Sequence, residues 1–217
     1  MSFQRPLAIL TVVFLFIPGL LSAQSPEQQS AAIYKLSGLQ GGFVVHVDCG
    51  SGELAGVLGR QKKYQVHGLV TEESQLAAAR AHIRSTGRYG PVAIDQLHDG
   101  RLPYIDNMVN LLIIEEGDQL LAGEPMRVLA PGGVVLTRAG DSWEKQIKPR
   151  PDNIDDWTHY LHDASGNAVA HDDVVGPPRH MQWLGSPRWS RHHDRMASMS
   201  ALVSSNGRIF YIMDEGS

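Results

Sequence analysis

Five short apolar runs punctuate the chain: Phe43 to Val47, Tyr64 to Val70, Val92 to Leu97, Val109 to Ile114 and Val134 to Thr137. Runs of this length read as buried strands, and they start 17 to 28 residues apart, enough for a crossover between parallel neighbours. Between them the period turns helical. From Thr71 to Gly87 a cap residue is followed by Glu72 and Glu73 at the positive end. Leu76, Ala79 and Ile83 share one face, and Gly87 is a stop. Ile33, Leu36 and Leu39 predict a short amphipathic helix within 24–39 that ends at Gly41-Gly42. A short helix is expected over Glu53 to Leu58, weakened by Gly56, and another from near Pro125 to Pro131-Gly132-Gly133. The alternation over 26–140 predicts an α/β domain: an open, mainly parallel sheet with helices on both faces.

After Ala139 the pattern breaks. Residues 141–155 are polar, contain Pro149 and Pro151, and read as a linker. A second unit, 156–217, is rich in Trp, His, Gly and Pro. Its clearest signal is Asn206-Gly207 between Ala201-Leu202-Val203 and Arg208 to Ile212, which predicts a hairpin because a type I′ turn needs positive φ at both central positions. The expectation here is an incomplete antiparallel β segment.

Composition narrows the function. A hydrophobic content of 42% supports a folded core, and a net charge of -4 without a basic stripe argues against a nucleic-acid partner. Residues 1–23 show Arg5, an apolar run from Pro6 to Leu21, then Ser22-Ala23, the layout of a cleaved secretory signal peptide. Export to the periplasm or the exterior is expected, with membrane attachment only if that segment is retained. One cysteine, Cys49, excludes an internal disulfide and reads as a small buried residue.

The first strand leads into Asp48-Cys49-Gly50-Ser51-Gly52-Glu53. Glycines between a strand and a helix let a backbone approach a ligand at the carboxyl edge of a sheet. Ala55 stands where a dinucleotide fingerprint wants its third glycine, and a phosphate-cradling GK[ST] loop is absent from the sequence. Asp48 to Gly52 resembles the first motif of class I S-adenosylmethionine-dependent methyltransferases. The likeness continues through Gly68 to Glu73 with Leu76, Ala79 and Arg80, through Asp99 and Leu102-Pro103-Tyr104, and into Arg127 to Gly133. It implies a Rossmann-like domain with S-adenosylmethionine as cofactor. It also implies cofactor-binding residues Asp48, Gly50, Gly52 and Asp99, the glycines near the methionine part and Asp99 near the adenine. The family's ribose-binding acid falls on Val70, which cannot accept a hydrogen bond, and Glu72 reads as a first-turn helix residue or a substitute for it. Glu115 and Glu116 read as solvated strand-end carboxylates, or as a base or metal ligand. No catalytic residue is assigned.

Asp156 to Asp163 with Asn167, Gly176-Pro177-Pro178 and Gln182-Trp183 resembles the entry segment of quinoprotein-like β-propeller proteins, and Leu202 to Tyr211 resembles the hairpin of a first blade. The resemblance implies a truncated start of a propeller, continued in a longer chain, and no complete quinone site. Six histidines cluster here: His159, His162, His171, His180, His192 and His193, with Asp163, Asp172, Asp173 and Asp194 nearby. His159 and His162 followed by Asp163, and His192-His193-Asp194, could approach a metal, but without cysteine ligands or an HExxH frame the spacing is loose; they read as polar packing and no metal is assigned. Arg188 and Arg191 read as stacking partners for aromatic rings such as Trp189. Two functions follow: a methyltransferase-like protein of unknown acceptor, or a non-catalytic structural or recognition module ahead of a propeller.

Overall fold

The computed structural model describes residues 25–115, 120, 122–174, 176 and 199–213. The signal segment, Glu116, the stretch from Gln182 to Asp194 and His180 lie outside the described residues.

Helix α1 (Pro26–Ser37) opens on a capping box: the Gln28 amide donates to Ser25 Oγ at 3.3 Å, and the Ser25 amide donates to Gln28 Oε1 at 3.0 Å. It closes on Gly38 at φ 74°, a left-handed cap that ends it before Leu39. Strand β1 (Gly42–Val47), helix α2 (Glu53–Leu58), strand β2 (Tyr64–Val70), helix α3 (Glu73–Ser85) and strand β3 (Val92–Gln96) follow in strict alternation. The cap of α3 is Glu72, not Thr71; the Thr71 hydroxyl instead donates to Asp48 Oδ1 at 3.1 Å, which takes it away from the helix end.

Strand β4 (Val109–Ile114), helix α4 (Glu124–Val128) and strand β5 (Leu129–Ala139) complete the parallel part. Helix α4 ends earlier than the sequence predicts. Pro131-Gly132-Gly133 belongs to β5 as an irregularity in its pairing, where the register against β4 shifts between Val109 and Leu111. Only glycine suits this bend. Gly132 has φ 78°, and a Cβ on Gly133 would lie 2.8 Å from the Ala130 carbonyl oxygen. Strand β6 (Ser142–Ile147) then pairs antiparallel with β5, so the first half of the expected linker extends the sheet. The two-residue Gly140-Asp141 connection permits it, since an antiparallel neighbour needs no crossover.

The sheet order is β3-β2-β1-β4-β5-β6, a Rossmann-like arrangement, parallel but for its last strand. Its central strand β1 is buried on both faces, which is why Val44, Val45 and Val47 form a run rather than an alternation. The two faces are covered unequally. Val44, Val66, Leu111, Ile113 and Leu136 pack under Ile33 of α1, Leu54, Ala55 and Leu58 of α2, and Ala79 and Ile83 of α3. On the opposite face, among the described residues, Val45, Val47, Leu69, Leu112 and Val135 meet short α4 and the irregular residues Leu97, Leu102, Tyr104 and Leu120.

Strands β7 (Met199–Ser205) and β8 (Arg208–Met213) form a separate two-stranded antiparallel sheet. Asn206 at φ 49° and Gly207 at φ 72° make the predicted turn. The hairpin is fastened to the preceding chain by reciprocal bonds between Trp157 and Ser204 and by Arg150 and Asp156, which hold Asn206. No described helix is long and apolar enough to cross a membrane.

Candidate functional site

The strand order reverses between β1 and β4, and open α/β sheets place ligands outside the carboxyl ends of strands at such a point. The loop there is Asp48 to Gly52. Three of its five residues are left-handed: Asp48 at φ 56°, Gly50 at 51° and Gly52 at 80°. The loop is pinned by the Cys49 amide on the Leu69 carbonyl at 3.0 Å and the Gly52 amide on the Cys49 carbonyl at 2.9 Å. Gly52 sits against α3, where a Cβ would touch Ala79 at 3.6 Å. Gly50 differs: a Cβ there would meet nothing within 4 Å, so its backbone borders open space.

Cys49 points inward and is buried, as its apolar surroundings predict. Burial pushes its thiol up to about 12, so it stays protonated and unreactive at neutral pH. Asp48 is half-buried and holds the Thr71 hydroxyl, tying the β1 loop to the end of β2. Val70 is fully buried in the core. Glu72 is exposed at the start of α3 and makes no capping bond with its side chain. Asp99 lies in the turn His98 to Arg101 beyond β3, exposed, with φ 55°. Because β1, β2 and β3 are parallel, Asp48, Thr71 and Asp99 share one rim of the sheet, with Asp99 two strands from the glycine loop.

Glu115 follows β4 on this rim and is not free: its side chain is 21% exposed and both oxygens are paired. Its Oε1 lies 3.2 Å from His46 Nε2 and its Oε2 accepts from Arg138 Nε at 2.9 Å, while Arg138 stacks over Trp143 at 4.0 Å. Burial opposes ionisation of Glu115, but the bonds from His46 and Arg138 outweigh it and hold the carboxyl below its ordinary value. His46 is 2% exposed and its Nδ1 has no hydrogen-bond partner. The sequence reading passed over it, although a histidine inside a valine strand was a visible signal. A second polar chain crosses the other face: Tyr104 Oη to His67 Nδ1 at 2.8 Å, His67 Nε2 to Asp95 at 3.0 Å, and Asp95 to Arg80. Burial raises the Tyr104 phenol, so that hydroxyl remains protonated. A cavity of about 280 Å³ lies beside β3 at the Arg80 and Asp95 end of this polar chain, and one of about 510 Å³ lies among Glu27, Glu53, Arg60 and His82.

No family model matches the chain. It is 30% identical to methyltransferase GfsG of Streptomyces halstedii over 119 residues, 51% of this chain and 42% of that protein. It is 29% identical to an uncharacterized protein of Haemophilus influenzae over 110 residues, 45% of this chain and 44% of the other. The chain thus spans under half the length of these curated relatives. A solved S-adenosylmethionine-dependent methyltransferase from Aquifex aeolicus superposes with a TM-score of 0.45 and 20% identity, covering 52% of this chain and 67% of that one.

Proposed function

We propose that residues 26–140 bind S-adenosylmethionine in a methyltransferase-like site. The single observation that carries this reading is the left-handed loop Asp48 to Gly52 at the reversal point of the sheet, with Gly50 facing open space. The similarity to a methyltransferase over half the chain supports it. Gly50 and Gly52 would admit the methionine part, with Asp48 as a carboxylate beside them and Asp99 near the adenine. The cofactor supplies an already activated methyl group, so the protein's work is alignment. Val70 gives the ribose no partner, and Glu72, exposed two residues further on, is the nearest carboxylate in sequence.

A calorimetric titration of the purified chain with S-adenosylmethionine and with its demethylated product tests the reading. Micromolar binding that is lost in Gly50→Leu is the expected result. Absence of heat at millimolar ligand overturns it.

The buried Val70 favours a second reading, a non-catalytic module ahead of a quinoprotein-like propeller. The hairpin β7–β8 fits that role, since Leu202, Ile209, Phe210, Tyr211 and Ile212 are all exposed. In either case residues 1–23 direct export, and sequencing the amino terminus of the mature protein tests this.

A further inference from the structure

We propose that Asp155, His162 and His171 bind one divalent transition-metal ion of the zinc class. Each offers one ligand atom, and the three atoms lie within 4.8 Å of one another. Nitrogen and oxygen ligands hold zinc at roughly 2.0–2.2 Å, which sets a tetrahedral ligand spacing of about 3.3 Å, so modest side-chain movement closes the set. Two imidazoles with one carboxylate suit a borderline ion rather than calcium or magnesium, which take oxygen ligands. Three protein ligands leave a fourth position for water.

The independent observation is His162. It is 3% exposed, and its two ring nitrogens face two different carboxylates: Nε2 lies 2.6 Å from Asp155 Oδ2, while Nδ1 lies 3.5 Å from Asp163 Oδ2 and has no hydrogen-bond partner. A neutral imidazole carries one proton and cannot donate to both. A metal ion on Nε2 satisfies both carboxylates, as full protonation of the ring also would, and the titration below separates the two. The ion replaces the proton between His162 and Asp155, that proton passes to Nδ1, and Nδ1–H then donates to Asp163, which orients the ring from outside the ligand shell.

The remaining parts are in place around this ring. The His171 ring meets that of His162 edge to face at 5.0 Å, and the His171 amide donates to Asp155 Oδ2 at 2.8 Å, which fixes the carboxylate relative to the second imidazole. Asp155 already accepts from that amide and lies against His162 Nε2 at 2.6 Å, so its carboxylate is oriented toward both imidazoles. Asp163 adds the charge that balances a dication held by one carboxylate.

The test is a titration of the full chain, stripped with chelator, with zinc and with cobalt, the latter read by visible absorption. One zinc per chain at micromolar affinity or tighter, and intense cobalt bands of a tetrahedral site, are expected. His171→Ala, an exposed position that leaves the fold intact, should weaken binding more than about tenfold, as should His162→Gln. His98→Ala, an exposed histidine outside the cluster, should change nothing. Binding weaker than millimolar, or full affinity retained in His171→Ala, overturns the proposal and leaves a plain Asp155–His162–Asp163 ion pair. The measurement involves no S-adenosylmethionine and is independent of the function proposed above.

Discussion

Arg127 grips Glu124 through two parallel hydrogen bonds, Nε to Oε1 and Nη2 to Oε2, both 2.7 Å. The same guanidinium donates to the carbonyls of Tyr104 at 2.7 Å and Leu102 at 2.9 Å, and to Asp106 at 3.0 Å, while Glu124 accepts the Leu102 amide at 2.8 Å. One ion pair thus fastens the irregular segment between β3 and β4, where a crossover helix would otherwise cover the sheet.

Truncating that guanidinium should therefore loosen a whole face. Arg127→Ala leaves Glu124 in place, a nearly buried carboxylate without its partner, and should cost about 2–4 kcal/mol of unfolding free energy. Urea denaturation of the variant against the wild type measures it, and a loss under about 0.5 kcal/mol would show that the segment holds without the pair.

The pair also predicts a dependence on acid. The Arg127 guanidinium, followed by the Leu102 amide, outweighs desolvation and holds the Glu124 carboxyl below its usual value near 4.5. A carboxyl depressed on folding contributes stability fully above its unfolded pKa and loses it as pH falls through the folded value. Stability should accordingly be lost as pH falls below the usual carboxyl value near 4.5, and Glu124→Gln should flatten that loss while lowering stability at neutral pH. Denaturation curves of both proteins across this fall in pH provide the check.

Gly68 is a packing requirement rather than a flexible point. A Cβ there would stand 2.5 Å from Ile94 Cδ1 and 2.8 Å from Cys49 Sγ, both in the same core layer. Gly68→Ala should destabilise by about 1–3 kcal/mol through overpacking, and pairing it with Ile94→Val should recover part of the loss. Thermal unfolding of the single and double variants reads out both effects.

The thiol beneath Gly68 should be silent in the folded protein. With burial pushing Cys49 up to about 12, a thiol reagent at pH 8 should label almost none of the native chain. After denaturation it should label one group per molecule, matching the single cysteine. Rapid native labelling would mean that the glycine loop opens.

Much of this architecture was legible in the chain because valine and isoleucine runs at regular intervals leave few alternatives to a parallel sheet. The turn at Asn206-Gly207 was an equally local signal. What escaped the reading was set by long-range contacts. Thr71 is diverted from its helix by Asp48, a residue on another strand. Pro131-Gly132-Gly133 looks like a stop, yet β4 alongside turns it into a bulge within a strand. Ser142 to Ile147 has no apolar run, and becomes a strand only because β5 offers it a free edge. At the rim, Asp48, Gly50 and Gly52 could be placed from their motif. The pairing of His46 with Glu115 could not, since 69 positions separate partners that meet only when β1 and β4 lie side by side.

The hairpin β7–β8 is moored by polar bonds from Arg150, Asp156 and Trp157. Such a mooring is direction-giving but weak, and can let go without disturbing the valine-rich layers of the sheet. Amide exchange should consequently run fast in β7 and β8 while β1 and β4 stay protected, so the chain would soften from its carboxyl side inward rather than melt as one body.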